Sequence, residues 1–123
     1  MRLPKFRCKN KAGNWCFFTV LHNGNVNEEN FDLSTLSEFT GLLDKQGVEI
    51  YEHDLMFEFN HTTRKYDAVG IVTFGNFSAE IYDCKGWFLA DKNGNQISEA
   101  GLDDDFSGVI GNIHDNPELL NAQ

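Results

Sequence analysis

The sequence predicts a mainly β fold, a small open or pseudo β-barrel with short helical pieces, and three observations carry that prediction. Runs of alternating apolar and polar residues recur at close spacing, turn-forming residues separate them, and no stretch sustains a 3.6-residue apolar period. Short strands joined by tight turns either curl into a barrel or pack as two layers, so an all-β sandwich is the second architecture. A length of 123 residues, 41% hydrophobic and with eleven Phe, suits a single domain over 1–123 whose core is built largely from aromatic rings.

The elements follow in order. Phe6 and Cys8 alternate with Lys5, Arg7 and Lys9, which predicts a first strand with its basic residues facing solvent. "STLSEFTGLL" at 34–43 is expected to form one or two helical turns. "LMFEFN" puts Leu55, Phe57 and Phe59 on one face of a strand, with Met56, Glu58 and Asn60 on the other. In "VGIVTFGNFSAEIYD" two β-rich runs, 69–74 and 77–82, flank Gly75-Asn76, a pair suited to the primed turns of two-residue hairpins. The chain is expected to turn again at "DCKG" before the strand "WFLAD", and "SEAGLDDDFSG" is expected to supply another helical piece capped by Ser98. At the end, Val109, Gly111 and Ile113 share a face of a last strand that Asn116-Pro117 terminates, because Pro donates no N–H. Pro117 then opens a single helical turn, with Leu119 and Leu120 folding back.

One small motif recurs at 10–13 (NKAG), 44–47 (DKQG) and 91–94 (DKNG). A side-chain acceptor first and a glycine last suit a type I turn closed by a bulge, so these read as three hairpin tips. The third also opens like a calcium loop, with Asp91, Asn93 and Asn95 alternating. Gln96 stands where that loop needs Gly and Leu102 where it needs Glu, so the calcium reading fails.

Net charge is −9, with a basic head of Arg2, Lys5, Arg7, Lys9 and Lys11 and a final stretch, from Asn93 on, without Lys or Arg. Direct nucleic-acid binding is disfavoured, because phosphate contacts need a dense positive field. An acidic inhibitor that mimics nucleic acid is an alternative if Glu99, Asp103, Asp104, Asp105, Asp115 and Glu118 form one surface. Cys8, Cys16 and Cys84 are odd in number and lack CxxC spacing, against a disulfide framework or zinc site. The start lacks an apolar signal core and no run approaches the roughly 18 apolar residues of a membrane span, so a cytoplasmic protein without membrane contact is expected.

Candidate chemistry gathers at "YEHDL", where Glu52, His53 and Asp54 are consecutive, and at His114-Asp115. Carboxylate and imidazole side by side suit acid/base or metal work, but neighbours on a strand point to opposite faces. A shared pocket therefore requires the fold to bring His53 and His114 together. Cys84 beside Lys85 is a weaker candidate thiol. Trp15, Phe17, Phe18, Trp87 and Phe88 could stack on bases, although alternation assigns most of them to the core. No phosphate loop, nucleophile elbow or H-E-x-x-H occurs, and no catalytic residue, cofactor or metal is assigned.

Three segments, "KFRCKNKAGNW", "FTGLLDKQGVEIYEHDLM" and "VIGNIHDNPELL", resemble in order and spacing the YopX-like family of phage and prophage proteins. The resemblance implies a β-rich pseudo-barrel of SH3-like or PRC-like character with a small helical cap, and a non-enzymatic accessory protein. It also implies self-association but no reaction, and together with the small barrel and the lack of a catalytic constellation it leads to the expectation of a protein that works by binding a host or phage macromolecule. In the family a Gly follows the Tyr-Glu pair, and here His53 takes its place. If that position requires φ > 0, His53 carries backbone strain unless a local contact holds it.

Overall fold

The three Asn/Asp-Lys-x-Gly segments form the same turn three times in a computed structural model of the protein, which describes residues 5–19, 27–60, 63–79, 81–98, 101–102 and 108–121. Gly13, Gly47 and Gly94 have φ of 89°, 84° and 87°, and each donates its N–H to the carbonyl of the first turn residue at 3.0 Å. The acceptor side chain works as expected. Asn10 Oδ1 accepts from Asn14 N, Asp44 Oδ1 from Gln46 N and Val48 N, and Asp91 Oδ1 from Asn93 N and Asn95 N.

These turns help organise eight strands and one short helix: β1 (Phe6–Asn10), β2 (Trp15–Phe18), β3 (Phe31–Leu43), β4 (Glu49–Tyr51), β5 (Asp54–Asn60), β6 (Lys65–Ala79), β7 (Tyr82–Ala90), β8 (Val109–Asn112) and α1 (Glu118–Asn121). They form two open antiparallel sheets, of strand order β2-β1-β3-β4 and β7-β6-β5-β8. The mainly β, open architecture is thus the predicted one. The chain forms two compact units, Met1–Phe39 and Thr40–Gln123.

In the first unit β1 lies between β2 and β3, and the expected solvent-facing basic stripe is corrected at Arg7, while Lys5 and Lys9 are half-buried and Lys11 is exposed. Arg7 is buried, its guanidinium 4.5 Å from the Trp15 ring centroid, and Lys9 Nζ lies 5.3 Å from the same centroid. The indole of a cross-strand neighbour therefore covers the cations and stabilises them through its π face. The predicted helix at 34–43 is instead part of β3. Phe6 pairs with Glu38 and Arg7 with Ser37, after which the register jumps so that Lys9 pairs with Asp32. Thr35 Oγ1 occupies the interruption, accepting from Lys9 N at 2.8 Å and donating to Asp32 O at 2.6 Å. Hydroxyls that look like helix-surface residues in sequence are here the buried hydrogen-bonding groups of a bulged strand.

In the second unit Ile50, Met56, Val72 and Leu89 are fully buried and draw β4, β5, β6 and β7 around one core. Leu42, Trp87, Ile97, Leu102 and Val109 pack at its edge. Each such side chain contributes about 1.5–3 kcal/mol by leaving water. Along β5 the buried face beyond Leu55 belongs to Met56 and Glu58, whereas Phe57 is exposed.

The Gly75-Asn76 hairpin is not formed, and "DCKG" is not a turn. β6 runs unbroken to Ala79, β7 starts at Tyr82, and the Ala79↔Tyr82 pair sets the end of the ribbon, so Cys84 sits half-buried within β7 opposite Phe77. Gly75 pairs with Gly86, and the gap left by two missing side chains is filled by aromatic rings. Phe88 Cε1 lies 3.7 Å from the Cβ position of Gly75, Phe77 Cε1 lies 3.5 Å from that of Gly86, and the two ring centroids are 5.6 Å apart. A glycine pair shielded by cross-strand phenylalanines continues a ladder that local turn preference would have ended.

Of the expected helical piece at 98–108, residues 99–100 and 103–107 lie outside the described residues. Ser98 Oγ accepts from Leu89 N, Ile97 N donates to Leu89 O, and Leu102 N donates to Trp87 O, so the described residues run along β7 rather than coil. The last strand, the break at Pro117 and the single turn of α1 are as predicted, with Leu119 and Leu120 half-buried and α1 packed on β6.

Candidate functional site

The sequence candidates divide between two neighbouring turns of the second unit, and hydrogen bonds explain why those turns meet. Tyr51 and Asp54 end β4 and begin β5, leaving Glu52 and His53 as the turn between them. Asp54 is 2% exposed and its Oδ2 accepts from Tyr51 N at 2.8 Å, so its buried carboxylate closes the turn. His53 is left-handed, with φ of 73°, and is tied on both sides: its N–H donates to Val72 O at 2.8 Å and its carbonyl accepts from Ile113 N at 3.0 Å.

The second turn is built by Asn112, a residue the sequence reading passed over. Its Oδ1 accepts from His114 N at 3.0 Å and Asp115 N at 2.9 Å, its Nδ2 donates to Asp115 Oδ2, and its carbonyl accepts from Asn116 N. Asn116 Oδ1 in turn lies 3.3 Å from Asn112 N. The detectable signal was an Asn ahead of two polar residues and an Asn-Pro, the pattern of an Asx turn. Asp115 is exposed, but its carboxylate is already used to hold Asn112.

The pairing of β5 with β8, Asp54 opposite Asn112 and Leu55 opposite Gly111, then brings the two histidines together. Their ring centroids are 5.4 Å apart at 87°, an edge-to-face contact, and Glu52 Oε2 lies 4.0 Å from His53 Nε2. The local contact that the left-handed His53 calls for is therefore the ring of His114. Among the described residues no group of three or more His, Cys, Asp or Glu side chains is placed to hold a metal ion. What the arrangement does chemically is hold two imidazoles side by side with the Glu52 carboxylate near one of them, with both aspartates committed to turns.

The strain and the contact can be separated by substitution. A non-Gly residue in the left-handed region costs about 1–2 kcal/mol, of which glycine's greater freedom in the unfolded chain returns about 0.5–1, while an edge-to-face pair contributes about 0.5–1.5. His53→Gly is thus expected within about 0.5 kcal/mol of the parent, the gain and the loss offsetting each other, whereas His53→Ala keeps the strain and loses the ring. Urea denaturation of the two variants should place Ala about 1 kcal/mol below Gly. Equal stabilities would mean that the backbone at 53 is not strained.

A second residue outside the expected set anchors the same strand. Asp44, 5% exposed, uses Oδ2 to accept from Val109 N at 2.9 Å, 65 residues away, while Oδ1 serves its own turn. Burial works to raise its pKa, but the N–H groups of Val109, Val48, Gln46 and Gly47 together outweigh it and hold the carboxyl below its ordinary 3.8.

The other candidates lie elsewhere. Phe17 is 60% exposed, Phe18 packs edge-on against Phe31 in the first unit, and Trp87 packs edge-on against Phe74 in the second. The residues Glu99 and 103–105 of the acidic stretch lie outside the described residues, as does Arg2 of the basic head. Among the described residues no helix is long and apolar enough to cross a membrane.

Compared with known families, the sequence matches the family model described as YopX protein over residues 2–121. No curated protein matches it.

Proposed function

The chain belongs to the YopX family, and from that premise we propose that it is a non-enzymatic phage or prophage accessory protein of the host cytoplasm, acting as an oligomer that binds a host or phage macromolecule. The observation that carries this reading is the outer end of the β6–β7 ribbon. β5 reaches only Ile71 in its pairing with β6, so residues 73–79 and 82–88 continue beyond it as an arm, to which the following chain bonds through Leu102 N to Trp87 O and through the Gln96 side chain to Ser78. That arm exposes Ile81 at 88%, Tyr82 at 65% and Phe74 at 48%. Ile81 and Tyr82 are neighbours at its tip, and large exposed apolar side chains gain by being covered. The commitment of Asp54 and Asp115 to backbone and turn hydrogen bonds supports a binding role over catalysis at the paired turns.

The test is sedimentation of the parent protein and of an Ile81→Asp, Tyr82→Ser variant over a concentration series, together with pull-down from host lysate. The variant should lose self-association and partner capture, with a Tm within about 2 °C of the parent, since exposed sites affect folding little. A parent protein that is monomeric throughout and captures the same proteins as the variant would sink the proposal.

A second reading rests on the contact between His53 and His114: a small ligand pocket or acid/base site that adds Glu52 and uses the rim near Asp54 and Asp115. It requires a ligand whose addition shifts the imidazole NMR signals of both histidines together. Signals that respond one at a time, or not at all, across a metabolite panel would count against it.

A further inference from the structure

The register of β1 and β2 places Cys8 directly opposite Cys16, a relation that their sequence spacing does not announce. We propose that these two residues form a thiol–disulfide exchange site, whose substrate is a low-molecular-weight disulfide. Directly opposed residues of antiparallel strands project to the same face with Cα atoms about 4.5–5.5 Å apart, within the roughly 4.4–6.8 Å that a disulfide bridges. Both residues are free thiols, and the third, Cys84, faces Phe77 and has no such neighbour across its ladder.

Their surroundings assign an order. Cys16 is half-buried and lines an open depression of about 510 Å³, shared with Lys11, Glu29 and Phe31, a recess of a size to admit a small disulfide. Cys8 is fully buried, and its Sγ points to the other neighbouring strand, 3.2 Å from Asp32 O and 3.6 Å from Thr35 Oγ1. The Cys16 thiolate attacks one sulfur of the small disulfide, forming a mixed disulfide and releasing one small thiolate. Cys8 then turns about χ1, exchanges its weak S–H donation to Asp32 O for attack on the Cys16 sulfur, and expels the second small thiolate. The protein dithiol is oxidised to one disulfide, the small disulfide is reduced to two thiols, and the two protons lost by the cysteines leave with them.

Folded full-length protein is incubated with oxidised glutathione and read by intact mass and peptide mapping. The expected product has lost two hydrogens, carries a Cys8–Cys16 cross-link, remains unlinked to other chains and reverts fully with dithiothreitol. Cys8→Ala should instead accumulate the glutathione adduct on Cys16, and Cys16→Ala should leave Cys8 unmodified for as long as the chain is folded. A parent protein in which the Cys16 adduct persists without cross-linking overturns the proposal, as does one in which neither Cys8 nor Cys16 reacts while Cys84 does. Mapping of the parent decides this even if a substituted chain fails to fold.

Discussion

Asp44→Ala is expected to cost about 3 kcal/mol of folding free energy and roughly 10 °C in Tm, because three backbone N–H groups lose a charged acceptor at once. Hydrogen bonds to ionised groups contribute about 1.5–3 kcal/mol each, and the total is held below their sum because they share one carboxylate and one turn. The loss is also non-local. Gln46 and Val48 belong to the hairpin tip, but Val109 begins the strand that carries Gly111, Asn112 and the turn to His114, so hydrogen exchange should rise across β8 as well as at the tip. Asp44→Asn tests the charge: an amide offers one acceptor where the carboxylate offers two, and its NH₂ opposes an N–H donor.

The sign of the pH dependence follows from the direction of the shift. The folded carboxyl titrates below its ordinary 3.8, so its contribution is fully present above that value and is lost as pH falls through it toward the folded pKa. The Tm difference between the parent and Asp44→Asn should be constant from about pH 7 to about pH 5 and shrink toward about pH 3. A difference that stays level across that range would show that Asp44 carries no charge-dependent stability. Asp91, held low chiefly by the Asn95 N–H against burial, with Asn93 and Gly94 adding to it, adds acid sensitivity of the same sign in both proteins and cancels from the comparison.

Gly70→Ala should cost about 2–3 kcal/mol, with a Tm fall of roughly 10 °C, although it adds a single methyl to a buried strand. A Cβ at that position would lie 2.7 Å from Leu89 Cβ and 2.9 Å from Ile97 Cδ1. The isoleucine tip can turn aside, but a Cβ moves only with its backbone, and β7 is anchored there by the fully buried Leu89. Gly75→Ala is the matched contrast on the same strand: its Cβ would sit 3.7 Å from Phe88 Cε1, ordinary contact, and removing a strand-interior glycine gains about 0.5 kcal/mol. Thermal melts showing both substitutions with the same sign would mean that close approach of β6 to β7 is not what glycine serves at 70.

What was legible in the chain, and what was not, divides by the range of the interactions. The NKAG, DKQG and DKNG turns were readable because a turn's acceptor, its left-handed glycine and its closing hydrogen bond all lie within five residues. The end of β8 and the turn after Pro117 were readable for the same reason, since a proline removes its donor whatever surrounds it. Gly75-Asn76 carried an equally strong local signal and misled, because Gly86, Phe77 and Phe88 supply a cross-strand surface that local preference does not contain. The segment 34–43 misled similarly: Thr35 and Ser37 acquire their buried roles only once β1 lies beside them.

The sequence by itself determined the β class, the family and the positions of three hairpin tips. Only the tertiary structure decided that Asp44 reaches Val109, that His53 meets His114, and that Cys8 faces Cys16. The first two relations join residues more than sixty positions apart and depend on packing between strands distant in the chain, whereas the third needs β1 and β2 to keep one register across the NKAG tip, from which a one-residue slip would send one of the two thiols to the opposite face.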